Sequence, residues 1–101
     1  QLRLVFLLID IRHDPSENDK IMYKWIVDHG FNPVIIATKL DKINRSQIQK
    51  HIKMLKTGLK VVPGTIVIPF SAQTKQGREE IYELLDSYLN VENEETTEEN
   101  A

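Results

Sequence analysis

Two short stretches carry side chains whose types and spacing can do chemistry: Thr38-Lys39-Leu40-Asp41 and, about thirty residues on, Ser71-Ala72-Gln73. A carboxylate accepts two hydrogen bonds at once, and guanine presents two adjacent donors, N1–H and the exocyclic N2 amine, on its Watson–Crick edge. Asp41 is the candidate acceptor. Adenine would set its own N1 acceptor against that carboxylate and leave it unpaired, so base choice follows from an unmet hydrogen bond. Lys39 can lay its methylene stem along the purine face while its ammonium reaches ribose or backbone oxygens. Thr38 can bond backbone but cannot copy the donor and acceptor pair of an amide. Each residue also has an ordinary reading: Lys39, Asp41 and Lys42 as solvated loop charges, Ser71 and Thr74 as the cap of a following helix. The placement of both stretches at strand ends favours base reading.

That placement comes from the hydrophobic pattern. Leu4 to Ile9 is a continuous branched apolar run, as in a strand covered on both faces by helices. Ser16 followed by Asp19 resembles a capping box, and Ile21, Met22, Trp25, Ile26 and His29 repeat at helical spacing until Gly30, predicting a helix over 17–29. Val34 to Ala37 forms a second β-branched run that leads into Thr38. Asn44 with Gln47 again resembles a capping pair, Ile48, Ile52, Leu55 and Leu59 share one helical face, and Gly58 stands near the end of a helix predicted over 45–58. Thr65 to Phe70 is the third strand, with Pro69 placing it at or near a sheet edge. Ile81, Leu84, Leu85, Tyr88 and Leu89 mark a third amphipathic helix. The order β-α-β-α-β-α with crossover-length connections predicts a three-layer α/β domain on a parallel sheet. Ligands of such sheets bind beyond the carboxyl ends of the strands, which singles out the loops 10–15, 38–43 and 71–77.

Composition narrows the class. The chain has 101 residues, 41% of them hydrophobic, enough for one modest core, and no cysteine, so neither disulfides nor a cysteine zinc site is available. Its longest apolar run is far shorter than a membrane span, and the expectation is a cytoplasmic protein without a membrane partner. The net charge of −2 hides a segregation: residues 91–101 hold five Glu and no Lys or Arg, leaving thirteen basic against ten acidic side chains elsewhere. An acidic segment without aromatics predicts a disordered tail over 91–101. Gln1 is not an initiator Met and a strand pattern begins by the fourth residue, as in a piece cut from a longer chain.

Thr38-Lys39-Leu40-Asp41 fits the N/T-K-x-D pattern by which GTP-binding proteins read guanine. Ser71-Ala72-Gln73 stands where the S-A-K motif supplies a backbone N–H to guanine O6, with Ala72 as donor, Ser71 as brace for Asp41, and Gln73 in place of the usual Lys. The stretch Asp10-Ile11-Arg12-His13-Asp14-Pro15-Ser16-Glu17-Asn18-Asp19, then Met22-Tyr23, Trp25 and Ile36 to Ile43, resembles the EngB (YihA/YsxC) family of bacterial GTPases over residues 1 to about 90. The resemblance implies the C-terminal half of a P-loop GTPase G domain, binding GTP/GDP, with Mg²⁺ held only in the full-length protein. It further implies a role in large ribosomal subunit assembly and in normal septation during cell division.

Nothing in the sequence matches G-x-x-x-x-G-K-S/T, whose amides and Lys cradle phosphate, and no D-x-x-G follows a strand, so no GTP hydrolysis is expected of these 101 residues. A strand at 4–9 without the neighbour it would have in a whole G domain predicts self-association of the fragment. Asp10, Arg12, His13 and Asp14 offer too few ligands for a metal site, and no catalytic residue is assigned. The alternative is a non-enzymatic α/β interaction domain that docks on RNA or protein through the basic residues Arg45, Lys50, Lys53, Lys56 and Lys60 of the second helix.

Overall fold

The structure is a computed structural model that describes residues 3–87. Tyr88, Leu89 and the expected disordered tail over 91–101 lie outside the described residues. Strand β1 (Leu4–Asp10) is followed by helix α1 (Glu17–Asp28), strand β2 (Asn32–Thr38), single 3₁₀ turns at Leu40–Lys42 and Arg45–Gln47, helix α2 (Ile48–Leu59) and strand β3 (Ile66–Pro69). Helix α3 begins at 78 and continues to the limit of the description at 87. The three strands lie in the order β1-β2-β3 and are parallel throughout, as expected for an α/β sheet with crossover helices. Leu4 pairs with Asn32 and Asp10 with Thr38, while Val34 pairs with Ile66 and Ala37 with Pro69.

Alternation along the strands divides the interior into two cores. On one face Ile9, Ile35 and Ala37 pack with Tyr23 of α1 and with Ile52, Leu55 and Leu59 of α2. On the other, Val34, Ile36 and Ile68 meet Phe70 and the α3 residues Ile81 and Leu84. Two helices therefore cover one face and one covers the other, the three-layer arrangement expected. Ile52, Leu55 and Leu59 form the predicted buried stripe of α2, with Ile48 partly buried beside them. Pro69 ends β3, an outer strand of the described sheet, so its missing N–H interrupts no interior ladder. No helix among the described residues is long and apolar enough to cross a membrane.

Four expectations need correction. Strand β1 is only partly covered on the α3 face: it is the other outer strand of the described sheet, and while Leu4 and Phe6 pack against the Val34, Ile36 and Ile68 cluster, Leu8 is 64% exposed. Helix α1 does form, with the capping box in place (Asp19 N–H to Ser16 Oγ 3.1 Å, Ser16 N–H to Asp19 Oδ2 2.9 Å), but it is rotated from the predicted stripe. Tyr23 and Ile26 are buried, whereas Ile21, Met22 and Trp25 face outward. The Tyr23 hydroxyl lies 2.7 Å from Thr65 Oγ1 and accepts the Val62 N–H at 2.9 Å, so this rotation gives a buried polar tip two partners.

The remaining two concern α2. It starts at Ile48, not 45, because Gln47 N–H bonds the Asn44 carbonyl at 2.9 Å in a 3₁₀ turn and Asn44 makes no side-chain cap. Nor does Gly58 end it: Lys60 at φ 54 forms the left-handed cap, while Gly58 is there because a Cβ would sit 2.7 Å from Pro15 Cδ. That glycine lets α2 approach the loop after β1.

Candidate nucleotide-base site

The loops after β2 and β3 meet at the carboxyl end of the sheet. Thr38 is the last residue of β2, and its Oγ1 donates to the Ile9 carbonyl at 3.3 Å, while Ile11 N–H bonds the Thr38 carbonyl at 2.9 Å. Thr38 thus spends its hydroxyl on fastening β2 to β1. Lys39 sits in left-handed backbone (φ 66, ψ 31), uncommon for a residue with a Cβ, and this reverses the chain immediately after the strand. Its side chain is exposed. Leu40, 6% exposed, anchors the turn in the core, and its N–H bonds the Phe70 carbonyl at 3.0 Å. One backbone bond therefore ties the two loops together directly ahead of Asp41 and Ser71.

Asp41 and Ser71, thirty positions apart, are joined by a 2.8 Å hydrogen bond from Ser71 Oγ to Asp41 Oδ1. Ser71 is fully buried, and its Oγ also accepts the Thr74 N–H at 3.1 Å, so the hydroxyl has one donor and one acceptor role fixed. The second carboxylate oxygen of Asp41 lies 3.6 Å from Lys42 Nζ, and the Asp41 side chain keeps 15% exposure. The Ser71 hydrogen bond, supported by Asp41's own backbone N–H and by Lys42, holds the carboxyl below its ordinary range against the opposing pull of burial. Asp41 is an acceptor-only carboxylate at neutral pH, held in place by Ser71.

The 71–77 loop is closed by Ser71 N–H to the Gln76 carbonyl (3.0 Å) and Lys75 N–H to the Ser71 carbonyl (2.9 Å). Ala72 and Gln73 are exposed in this loop, and among the described residues their N–H groups donate to no other backbone group. Helix α3 starts only at 78, so Ser71 and Thr74 organise the loop rather than cap that helix. Gly77 has φ +85, and a Cβ there would collide with the Pro69 carbonyl oxygen, so the loop folds back against the end of β3 at a position open only to glycine. A cavity of about 410 Å³ adjoins Ala72, lined by Phe70, Lys75, Arg78, Ile81 and Tyr82. A second, of about 370 Å³, lies between α1 and α2, away from both loops.

The third loop at this end is closed on itself. Arg12 grips Asp10 through its backbone N–H (2.9 Å), Nε (3.1 Å to Oδ1) and Nη2 (2.8 Å to Oδ2). The guanidinium bonds lower the Asp10 carboxyl to about 2. No group of three His, Cys, Asp or Glu side chains able to hold a metal occurs among the described residues. Sequence reasoning missed two fasteners of the site: the Leu40 to Phe70 backbone bond, and His51, whose Nδ1 lies 2.8 Å from the Ile11 carbonyl and links α2 to this loop. Neither has a sequence signal, because both join residues about thirty or forty positions apart through main-chain atoms.

No protein-family profile matches the chain. Curated relatives do. A protein of Lachnospira eligens named probable GTP-binding protein EngB is 61% identical over 102 residues, covering all of this chain and 48% of the relative. The proteins of the same name from Lachnoclostridium phytofermentans and Clostridioides difficile are 59% and 45% identical, over 90% and 96% of this chain and 45% and 48% of their own lengths. The chain spans about half the length of these relatives and aligns with them across both loops. With a parallel α/β sheet that joins T-K-x-D to a serine-braced second loop, and with identities of this size over its whole length, the chain belongs to the EngB family of GTP-binding proteins.

Proposed function

We propose that residues 1 to about 90 form the guanine-reading half of a G domain, in which Asp41 accepts N1–H and N2–H of the base and the Ala72 N–H donates to O6. The hydrogen bond from the buried Ser71 hydroxyl to Asp41 carries this reading, because it orients a charged acceptor and ties it to the loop that holds the open Ala72 amide. Lys39 covers one face of the purine, Gln73 borders the other, and Thr38 supports the backbone. The whole protein is a cytoplasmic GTPase in which Mg²⁺ and the phosphates are held by residues outside these 101, and it acts in large-subunit ribosome assembly and septation. These 101 residues alone bind GDP with a Kd weaker than about 0.1 mM and turn over no GTP, because base contacts forgo the charge-assisted phosphate bonds.

The test is a titration of GDP, ADP and xanthosine diphosphate against the chain and its Asp41→Asn variant. Saturation by GDP and not ADP is expected, with Asp41→Asn weakening GDP by roughly 10²-fold and favouring xanthine, since an amide matches the acceptor xanthine places where guanine has a donor. Equal saturation by ADP would sink the proposal. The outward-facing Leu8, Ile21, Met22 and Trp25 also support self-association of the fragment. Light scattering at high concentration that gives a single monomer mass would refute it.

A further inference from the structure

The cavity of about 370 Å³ between α1 and α2 falls within the size range of small-molecule sites, roughly 300–1,000 Å³, and lies apart from the loops proposed to read the base. Its apolar lining is Tyr23 and Val27 from α1, Leu59 from the last turn of α2, and Val62 just beyond. Tyr23 is fixed in place, because its hydroxyl lies 2.7 Å from Thr65 Oγ1 and accepts the Val62 N–H at 2.9 Å. One wall of the cavity is therefore preformed.

The charges at its mouth do not cancel. Lys20, Lys24 and Lys60 line the cavity, and Asp28 is the one acid among its lining residues. Lys24 is held by Asp28 at 2.8 Å and Lys20 by Glu17 at 3.4 Å, whereas Lys60 has no ion pair among the described residues. Three ammonium groups against two carboxylates leave one positive charge, and it stands on Lys60. Lys60 is also the left-handed cap of α2 (φ 54), a position that favours glycine. A lysine there sets a cation at the rim against the preference of the backbone. The partial negative charge at the ends of α1 (Asp28) and α2 (Leu59) opposes a multiply charged ligand. One uncompensated ammonium beside an apolar wall matches a single carboxylate on a short hydrocarbon body.

We propose that this cavity binds a small amphipathic carboxylic acid as its anion, the carboxylate meeting Lys60 at the mouth and the hydrocarbon lying against Tyr23, Val27, Leu59 and Val62. The ligand touches both helices, and so stabilises their packing by mass action. This site is independent of base reading, and its occupation requires no nucleotide.

Amide NMR titrations of the 101-residue chain with sodium octanoate, octylammonium chloride and inorganic phosphate test this directly. Octanoate is expected to shift the amides of Val27, Gly58, Leu59, Lys60 and Val62 and to saturate with a Kd of about 1 mM, with octylammonium, its cationic counterpart, binding there about tenfold more weakly or less. Lys60→Gly removes the ammonium while suiting the left-handed backbone, so the fold is kept; it should weaken octanoate roughly tenfold and leave octylammonium no weaker. Equal binding of octanoate and octylammonium in the wild type would overturn the proposal. So would octanoate shifts centred on Leu8, Ile21, Met22 and Trp25, which would make it a general apolar probe, or phosphate moving the cavity amides as strongly as octanoate does. No shift at the cavity up to about 20 mM octanoate, or wild-type affinity in a folded Lys60→Gly chain, would be equally decisive against it.

Discussion

The two sides of the sheet's carboxyl edge differ sharply. Between β2 and β3 the two loops of the candidate site are fastened within the chain: Leu40 to Phe70, Ser71 to Asp41, Ser71 to Gln76. Toward β1 and α1 the molecule presents Leu8, Ile21, Met22 and Trp25 outward, with the Trp25 ring stacked on His29 and Phe31. The difference teaches that the two loops proposed to read the base are fastened to each other locally, whereas the β1 side presents exposed apolar side chains. A carboxylate fixed by a buried hydroxyl needs two loops and no more. Shielding an outer strand and a rotated helix needs another layer.

The largest effect that would sharpen this contrast is a pair of core and edge substitutions. Leu55→Ala should cost about 2–5 kcal/mol of unfolding free energy by urea titration, because Leu55 is fully buried between α2 and the sheet. Leu8→Ser should cost less than about 0.5 kcal/mol while reducing self-association, and equal costs would erase the distinction. Next, Gly77→Ala should destabilise by about 1–3 kcal/mol and disturb the Ser71 and Ala72 resonances before those of α1, since its Cβ meets the Pro69 carbonyl. Ser71→Ala should weaken GDP roughly tenfold with a smaller change for α1 and β1, by leaving Asp41 without its donor. Wild-type affinity in that variant would show that Asp41 positions itself.

The smallest expected effect is a pH dependence on the β1 side. The folded-state carboxyl of Asp10 is depressed from 3.8 to about 2, so its contribution to stability is present above the unfolded value and is lost as pH falls through that interval. Because the Asp10 and Arg12 side chains remain 30% and 40% exposed, solvent screens the pair and the contribution is small. Asp10→Asn should flatten the urea midpoint between pH 4 and pH 2. Asp41, also depressed, contributes in the same sense, and its Asn variant serves as the comparison.

Much of the architecture was legible in the sequence because it is written in short-range patterns. Three branched runs, a capping box at Ser16 and Asp19, and the Ile52, Leu55, Leu59 stripe gave strands, helices and a parallel order that the structure reproduces. The nearness of Thr38 to Asp41 and Ser71 to Gln73 was legible because strand ends put both in adjacent loops. The outward turn of Trp25 was not, since its spacing suits either side of a helix and only the partners of Tyr23 at Val62 and Thr65 select one. Residue types and periodicity alone determined that a carboxylate, a hydroxyl and a lysine would gather at one edge of an α/β sheet. That the hydroxyl lies 2.8 Å from the carboxylate, that His51 fastens Ile11, and that Gly58 and Gly77 admit close approaches were decided by tertiary structure. Contacts between distant residues depend on how whole layers pack, and no local pattern encodes them.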